Sequence, residues 1–185
     1  NYYNSFLSIL KINKCKNFFN NSDIVKRFRS AAYLCACEGC IERCTYCVIR
    51  NAIGKLRSKN IGVCGEEYER LLLQGYRAFV IFGDNLGLYG QDIGSNIGQL
   101  VEHLSSKDSG MNVSWKLGWL HPHWLVSYQD QILRQVSDGK IIYLLSPIQS
   151  GSDRILNLMN RSYEIEKVGS LFMKLKEINP RLFIH

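Results

Sequence analysis

No stretch of this sequence approaches the roughly 20 consecutive apolar residues of a membrane-spanning helix, so no segment reads as a membrane span. The N-terminus contains Phe6-Leu7-Ser8-Ile9-Leu10 but has neither a basic lead nor a small-residue cleavage site, and does not read as a secretion signal. A disulfide framework is missing too. The seven cysteines make an odd total, and Cys35, Cys37, Cys40, Cys44 and Cys47 crowd into a span that such a framework would spread more widely. A reducing compartment with a bound metal accounts better for this spacing, so the expected location is cytoplasmic, with no membrane partner.

With 46% hydrophobic and 21% charged residues, the composition is that of a folded globular chain and excludes disordered and fibrous classes. The length of 185 residues suits one domain with a sizeable core. Charge is unbalanced: a formal net charge of +7 and a pI near 9.1 favour a polyanionic partner such as RNA.

The densest chemistry lies in Cys40-Ile41-Glu42-Arg43-Cys44-Thr45-Tyr46-Cys47. Thiols at this spacing can each hold one iron of a 4Fe-4S cluster, and the loop between them is too short to supply another cysteine, so one iron stays open to a substrate or cofactor. The competing possibility is a zinc knuckle completed by a distant His or Cys. Cys35 and Cys37 read as small strand residues, and Cys15 and Cys64 as ordinary thiols.

Residues 1–29 are rich in Asn, Lys and aromatics with no sustained period, and read as a linker or the remnant of a preceding domain. The organised domain, residues 30–185, starts with the apolar run Ala31 to Cys37, a buried strand leading into the cysteine loop. The basic segment from Arg50 to Asn60 has no apolar period and reads as a loop. A helix follows from Glu66 to Gln74, then a strand from Ala78 to Phe82, then a helix with Ile97, Leu100, Val101 and Leu104 on one face.

Val113, Trp115, Leu117 and Trp119 alternate as in a strand. His121 and His123 flank Pro122 and read as shaping a loop. Ser127 with Asp130 resembles a capping box for a helix carrying Ile132, Leu133 and Val136. Ile141 to Leu145 is another strand, a turn of helix is expected after Ser152, and Ile165, Val168, Phe172 and Leu175 mark a longer helix. Arg181 to His185 opens a further strand. This alternation predicts an α/β fold with parallel strands and right-handed crossovers. Its chemistry belongs at the C-terminal strand ends: the cysteine loop, Gly83-Asp84-Asn85, Leu120-His121-Pro122-His123 and Pro147-Ile148-Gln149-Ser150.

Several motifs in this order resemble the radical S-adenosylmethionine (radical SAM) methylthiotransferase family. They are Glu38-Gly39-Cys40 with Cys44-Thr45-Tyr46-Cys47, then Gly54 with Arg57-Ser58, then Tyr89-Gly90-Gln91-Asp92. Pro147-Ile148-Gln149-Ser150-Gly151-Ser152-Asp153-Arg154-Ile155-Leu156 and Leu158-Met159-Asn160-Arg161 complete the set. The resemblance implies a parallel (βα) partial barrel of the radical SAM type, incomplete here at its C-terminus. It also implies that a domain with further cysteines and an RNA-binding β-domain flank the core, so the chain is expected to be a truncated core. Arg50 stands where the family usually has Pro, Ile53 where Arg is common, and Asp84 where Gln is common.

The cofactors so implied are a 4Fe-4S cluster on Cys40, Cys44 and Cys47, and S-adenosylmethionine, which together generate a 5′-deoxyadenosyl radical. The implied activity is methylthiolation of a tRNA adenosine. The alternatives are methylthiolation of an aspartate on a small-subunit ribosomal protein, or a non-catalytic cluster-binding barrel. The implied partners are tRNA (or the ribosomal protein) and an electron donor such as flavodoxin or ferredoxin, with the chain itself a monomer.

For the S-adenosylmethionine, the candidate contacts are Tyr46 beside the adenine, Asp84 and Asn85 at the ribose or methionine, Gln149 and Ser150, and Arg161 at the carboxylate. Each also has a plainer role: Tyr46 as packing under the loop, Asp84 and Asn85 as turn caps, and Arg161 as a helix-end cation. Lys55, Arg57 and Lys59 form either a solvated face or the place where an RNA phosphate arrives.

Overall fold

The computed structural model describes residues 22–185. Most of the segment read as a linker, including Cys15, lies outside these residues. Its described end is not structureless, because Ser22–Arg27 forms a short helix, α1.

The elements that follow are β1 (Ala32–Glu38), α2 (Ile49–Ala52), β2 (Arg57–Ser58), α3 (Ile61–Leu73), β3 (Ala78–Gly83), a 3₁₀ turn (Leu86–Leu88) and α4 (Ile97–Lys107). Then come β4 (Ser114–Leu117), α5 (Pro122–Ser127), α6 (Gln129–Ser137), β5 (Ile141–Leu144), α7 (Asp153–Leu158), α8 (Ile165–Ile178) and β6 (Phe183–Ile184). The sheet runs in the order β2-β1-β3-β4-β5-β6. All pairings from β1 to β6 are parallel, and only β2 is antiparallel to its neighbour. Each parallel strand is added on the same side of the last, as in a barrel and not as in a doubly wound sheet. Because β2 and β6 remain edges, the barrel is partial.

Strand alternation decides which side chains meet the helices. Leu34 and Ala36 of β1, Phe79 and Ile81 of β3, and Trp115 and Leu117 of β4 are all fully buried, against Tyr68 and Leu72 of α3 and Leu100 and Leu104 of α4. α6 and α8 close the same core with Ile132, Val136, Val168 and Leu175. The opposite face of the sheet carries Tyr33 edge-on to Phe82, and Tyr143 against Phe183 with Lys116 4.2 Å over the Tyr143 ring. Tyr33 is 65% exposed there, so among the described residues the long helices cover one face of the sheet and the concave face is only partly covered, Phe28 lying edge-on to Tyr143.

Several local expectations give way. Residues 50–60, read as a loop, hold the end of α2 and all of β2. An edge strand of two residues, whose backbone pairs with Cys37 and Glu38, is too short to show a side-chain period. α3 begins at Ile61, ahead of the expected Glu66, because Asn60 caps it by accepting from the Gly62 N–H at 2.9 Å, and Gly62 and Gly65 interrupt the apolar pattern. Ser127 is no N-cap. It ends α5, where its hydroxyl donates to the His123 carbonyl, and α6 starts after Tyr128 with no side-chain cap. His121-Pro122-His123 opens a helix instead of a loop: Pro122 occupies the first turn, and His121 Nδ1 accepts from the His123 N–H at 3.2 Å.

A polar network sits inside the core between α3, α4, β4 and β5. The Tyr68 hydroxyl donates to Asp108 at 2.5 Å and accepts from the Trp115 indole N–H at 2.8 Å, while Lys140 Nζ reaches the other Asp108 oxygen at 2.5 Å. The Asp108 side chain has no solvent exposure, and that of Lys140 has 14%. Burial and the neighbouring carboxylate push the Tyr68 phenol well above its ordinary range, so it stays a donor. Among the described residues no helix is long and apolar enough to cross a membrane.

Removing Asp108 leaves the Lys140 ammonium without its counter-charge and the Tyr68 hydroxyl without its acceptor. Asp108→Ala is expected to destabilise the chain by about 3–5 kcal/mol, whereas Asp108→Leu combined with Lys140→Met, which removes both charges, is expected to lose clearly less. Urea unfolding monitored by circular dichroism gives both values, and equal losses would refute the buried-charge account.

Candidate metal and cofactor site

The cysteine loop starts where β1 ends. Gly39 makes the turn at φ +77°, and a Cβ there would lie 2.2 Å from the Lys55 carbonyl oxygen, so only glycine fits. The Gly39 N–H donates to Asp84 Oδ2 at 2.7 Å, and the Cys40 N–H donates to the Gly54 carbonyl at 3.2 Å. The root of the loop is thus tied to the end of β3 and to the segment before β2.

The outer part of the loop is held from the other side of the molecule. The Thr45 N–H donates to the Met159 carbonyl at 3.1 Å, its hydroxyl donates to the Leu158 carbonyl at 3.2 Å, and the Asn160 amide donates to the Arg43 carbonyl at 2.8 Å. The Trp124 indole of α5 donates to Glu42 at 2.9 Å. Within the loop, Cys47 N–H donates to the Cys44 carbonyl at 3.1 Å and closes a turn between these two residues.

A cavity of about 220 Å³ opens at the C-terminal ends of the parallel strands. Cys40, Cys44, Cys47 and Tyr46 line it from the loop, Asp84 and Asn85 from beyond β3, Gln149 from beyond β5, and Arg161 from beyond α7. Of the site residues expected from the sequence, Ser150 alone is outside the lining. Its hydroxyl oxygen accepts from the Ser152 N–H at 3.2 Å and shapes the turn before α7. Asp84 combines two positions, since it lines the cavity and also anchors Gly39. Trp119 lines the cavity without having been expected there, and His121, read as shaping a loop, lines it from one of the strand-end segments that the alternation picked out. Trp119 continues the apolar alternation of β4 and looks like core, but its backbone turns to φ 60° and leaves the indole 54% exposed.

Arg161 is 5% exposed. Its guanidinium donates to the Tyr46 hydroxyl at 2.7 Å and to the Pro147 carbonyl at 2.9 Å, while Nε has no partner. Burial pushes the Tyr46 phenol up, and the nearby Arg161 charge partly opposes this. Burial also raises the Cys40 and Cys44 thiols, with Arg161 pulling Cys44 back down. The thiols run from nearly buried at Cys40, through Cys44, to exposed at Cys47.

Two observations bear on what fits this cavity. Asn85 Oδ1, His121 Nε2 and Arg161 Nε are buried polar atoms without protein partners, and all three belong to residues of the lining. Such atoms suit a polar ligand. Among the described residues, no three His, Cys, Asp or Glu side chains gather as a single metal ion requires. A 4Fe-4S cluster puts each thiolate on a different iron and so takes sulfurs spaced more widely than a zinc ion does.

His121 supplies a pH-dependent test of the cavity wall. Burial first, then the Arg161 and His123 charges, push its imidazole from 6.5 down to about 3. The unfolded chain takes up this proton as pH falls below 6.5, but the folded chain does so only near pH 3, so folding stability falls across that window. His121→Asn keeps a capping acceptor and removes the titrating group. Its stability profile from urea unfolding is expected to be flatter than that of the parent between these limits; parallel profiles would reject the buried neutral imidazole.

Comparison with known proteins gives this cavity a family setting. The chain is 32% identical over 155 residues to threonylcarbamoyladenosine tRNA methylthiotransferase MtaB of Thermotoga maritima, an overlap of 82% of this chain and 35% of that protein. It is 36% identical over 157 residues to ribosomal protein uS12 methylthiotransferase RimO of Syntrophomonas wolfei, covering 82% and 34%. The chain therefore spans about a third of the length of the curated relatives it matches. Among solved structures, the radical S-adenosylmethionine methyltransferase TsrM from Kitasatospora setae shares the fold with a TM-score of 0.62 at 13% identity, over 83% of this chain and 29% of that one. The model of the Radical SAM superfamily matches residues 35–184, from within β1 to β6, and the chain belongs to that superfamily.

Proposed function

We propose that this chain is the radical SAM core of a methylthiotransferase acting on a tRNA adenosine. In this proposal Cys40, Cys44 and Cys47 hold a 4Fe-4S cluster, and the remaining cavity residues hold S-adenosylmethionine. The observation that carries it is the sharing of one cavity by the three thiols, a buried arginine and unpartnered polar atoms, at the C-terminal ends of a parallel sheet. When bound, the two cofactors supply a carbon radical that takes hydrogen from an unactivated carbon; the protein supplies orientation and exclusion.

The residues divide that work by their chemistry. Arg161, buried and with its Nε free of protein partners, matches a carboxylate. Tyr46, whose hydroxyl is held by Arg161, offers an aromatic face to a planar base. Asn85 and Gln149 offer amide groups from two other strand ends, and Asp84 keeps the loop root in place through Gly39. The near burial of Cys40 keeps bulk water from the inner end of the cavity.

A tRNA target is supported by the net charge of +7, which favours phosphate contact, and by likeness to relatives named for tRNA substrates. The 36% identity to a ribosomal protein uS12 methylthiotransferase supports the second target, an aspartate of a small-subunit ribosomal protein. A flavodoxin or ferredoxin as electron donor and a reducing cytoplasmic setting belong to the same proposal.

Anaerobic reconstitution with iron and sulfide is expected to give a brown protein with about four irons per chain. Reduction in the presence of S-adenosylmethionine is expected to release 5′-deoxyadenosine. Cys44→Ser is expected to lose most of the iron and all of the cleavage while keeping the parent's circular dichroism. A colourless protein that loads zinc, or a brown one that never forms 5′-deoxyadenosine, would sink the proposal.

A further inference from the structure

At the opposite end of the sheet from the thiols lies a cavity of about 600 Å³, a volume in the range of small-molecule sites. Ile24 and Arg27 line it from α1, Lys176 from the end of α8, Arg181 from the turn 179–182, and Ile142 and Phe183 from near the starts of β5 and β6. Its charge is one-sided: three cations are in the lining and no Asp or Glu is. Among the described residues, none of the three forms an ion pair. Other cavities differ. One of about 550 Å³ shares Ile49, Asp84 and Trp119 with the thiol cavity, belongs to that same site and carries Glu38 as well as Asp84. A groove along α8 sets Glu164 and Glu166 against Lys167 and Lys174.

The turn that presents Arg181 is fixed by its own hydrogen bonds. The Leu182 N–H donates to the Asn179 carbonyl at 3.0 Å and the Arg181 N–H to Asn179 Oδ1 at 3.1 Å, while Lys176 Nζ donates to the carbonyls of Pro180 at 2.6 Å and Leu182 at 2.8 Å. An ammonium has three donors, so these two bonds leave one donor and the whole charge of Lys176 unmatched. Ile24, Ile142 and Pro180 add apolar wall beside the cations.

We infer that this cavity binds a free nucleoside polyphosphate, with Arg27, Lys176 and Arg181 on the phosphates and the apolar wall against the nucleoside. Guanidinium forks match phosphate oxygens in geometry as well as charge. Three uncompensated cations call for more negative charge than a single carboxylate carries. An RNA backbone spreads its phosphates along a groove, whereas these cations converge on one cavity. The inference is independent of the radical SAM chemistry proposed above, because in parallel α/β folds the N-terminal strand ends carry no reaction. A ligand held there ties α1 to the turn before β6 and stabilises the fold by binding alone.

Titration of the full chain with ATP carrying a fluorescent ribose label, followed by anisotropy, tests this directly. Binding is expected to saturate below about 1 mM. Unlabelled ATP is expected to displace the label, and inorganic triphosphate to do so about tenfold less well for want of the apolar contact. Adenosine and S-adenosylhomocysteine, which lack phosphates, are expected not to displace it. Arg27→Glu and Arg181→Glu are each expected to weaken binding about tenfold or more, and both side chains are exposed, so the core stays intact. Lys174→Glu makes the same change of net charge on α8 outside the cavity, and is expected to stay within about twofold. Absence of saturation, displacement by S-adenosylhomocysteine, or equal losses in all three variants overturns the inference. So does a stem-loop RNA that displaces the label at lower concentration than ATP, which gives the cations to an RNA backbone. A chain that forms 5′-deoxyadenosine but binds no ATP rejects this site alone, whereas failure to form 5′-deoxyadenosine rejects the core reaction and leaves the ATP titration readable.

Discussion

The loop from Cys40 to Cys47 has no regular secondary structure, so its backbone groups must find partners elsewhere. It finds them at both ends of the domain. Gly54 and Asp84 hold its root, and Leu158, Met159 and Asn160 hold its outer turn. Each of these partners ends a regular element or follows closely after one, so the sheet and its crossovers set the position of the three thiols. The segment after α7, more than a hundred residues along the chain, is as much a part of the cysteine loop as its own neighbours are.

The same segment sets the polarity of the cavity. Asn160 takes a left-handed backbone and its amide reaches Arg43, while the next residue, Arg161, turns inward to Tyr46 and Pro147. One short turn therefore clamps the loop and places a buried cation beside the thiols. That cation lowers Cys44 against the effect of burial and helps to keep His121 neutral. The cavity wall thus carries a buried guanidinium at Arg161, with Arg50, Glu42 and Asp84 also in the lining, and charge-assisted hydrogen bonds gain strength where the charge is buried.

Much of the architecture was legible because long amphipathic elements advertise themselves. Ile97, Leu100, Val101 and Leu104, and Val168, Phe172 and Leu175, all lie on the buried faces of α4 and α8 as their spacing requires. The alternation of strand and helix was enough for a parallel sheet. Short or cap-dependent features were not legible. β2 has two residues and pairs through its backbone; Asn60 started α3 earlier than its apolar pattern suggests; and Ser127, with the sequence of a cap, became the end of a helix because His121 and Pro122 had already begun one. The Tyr68–Asp108–Lys140 network had no sequence signature, since its members are far apart in the chain.

The sequence by itself determined the kind of chemistry available and the order of the elements, because thiol spacing and apolar periodicity are local properties of the chain. It also marked most of the residues that meet in the thiol cavity, through motifs at strand ends. Only the tertiary structure decided which of them share that cavity: Ser150 falls into a turn, and Asp84 becomes the anchor of Gly39 as well as part of the wall. Only the tertiary structure, likewise, turned Trp119 out of an apparent core pattern to stand between two cavities. The physical reason is the same in each case: a side chain's direction at a strand end depends on the hydrogen bonds that neighbouring strands impose on its backbone, and those partners are remote in sequence.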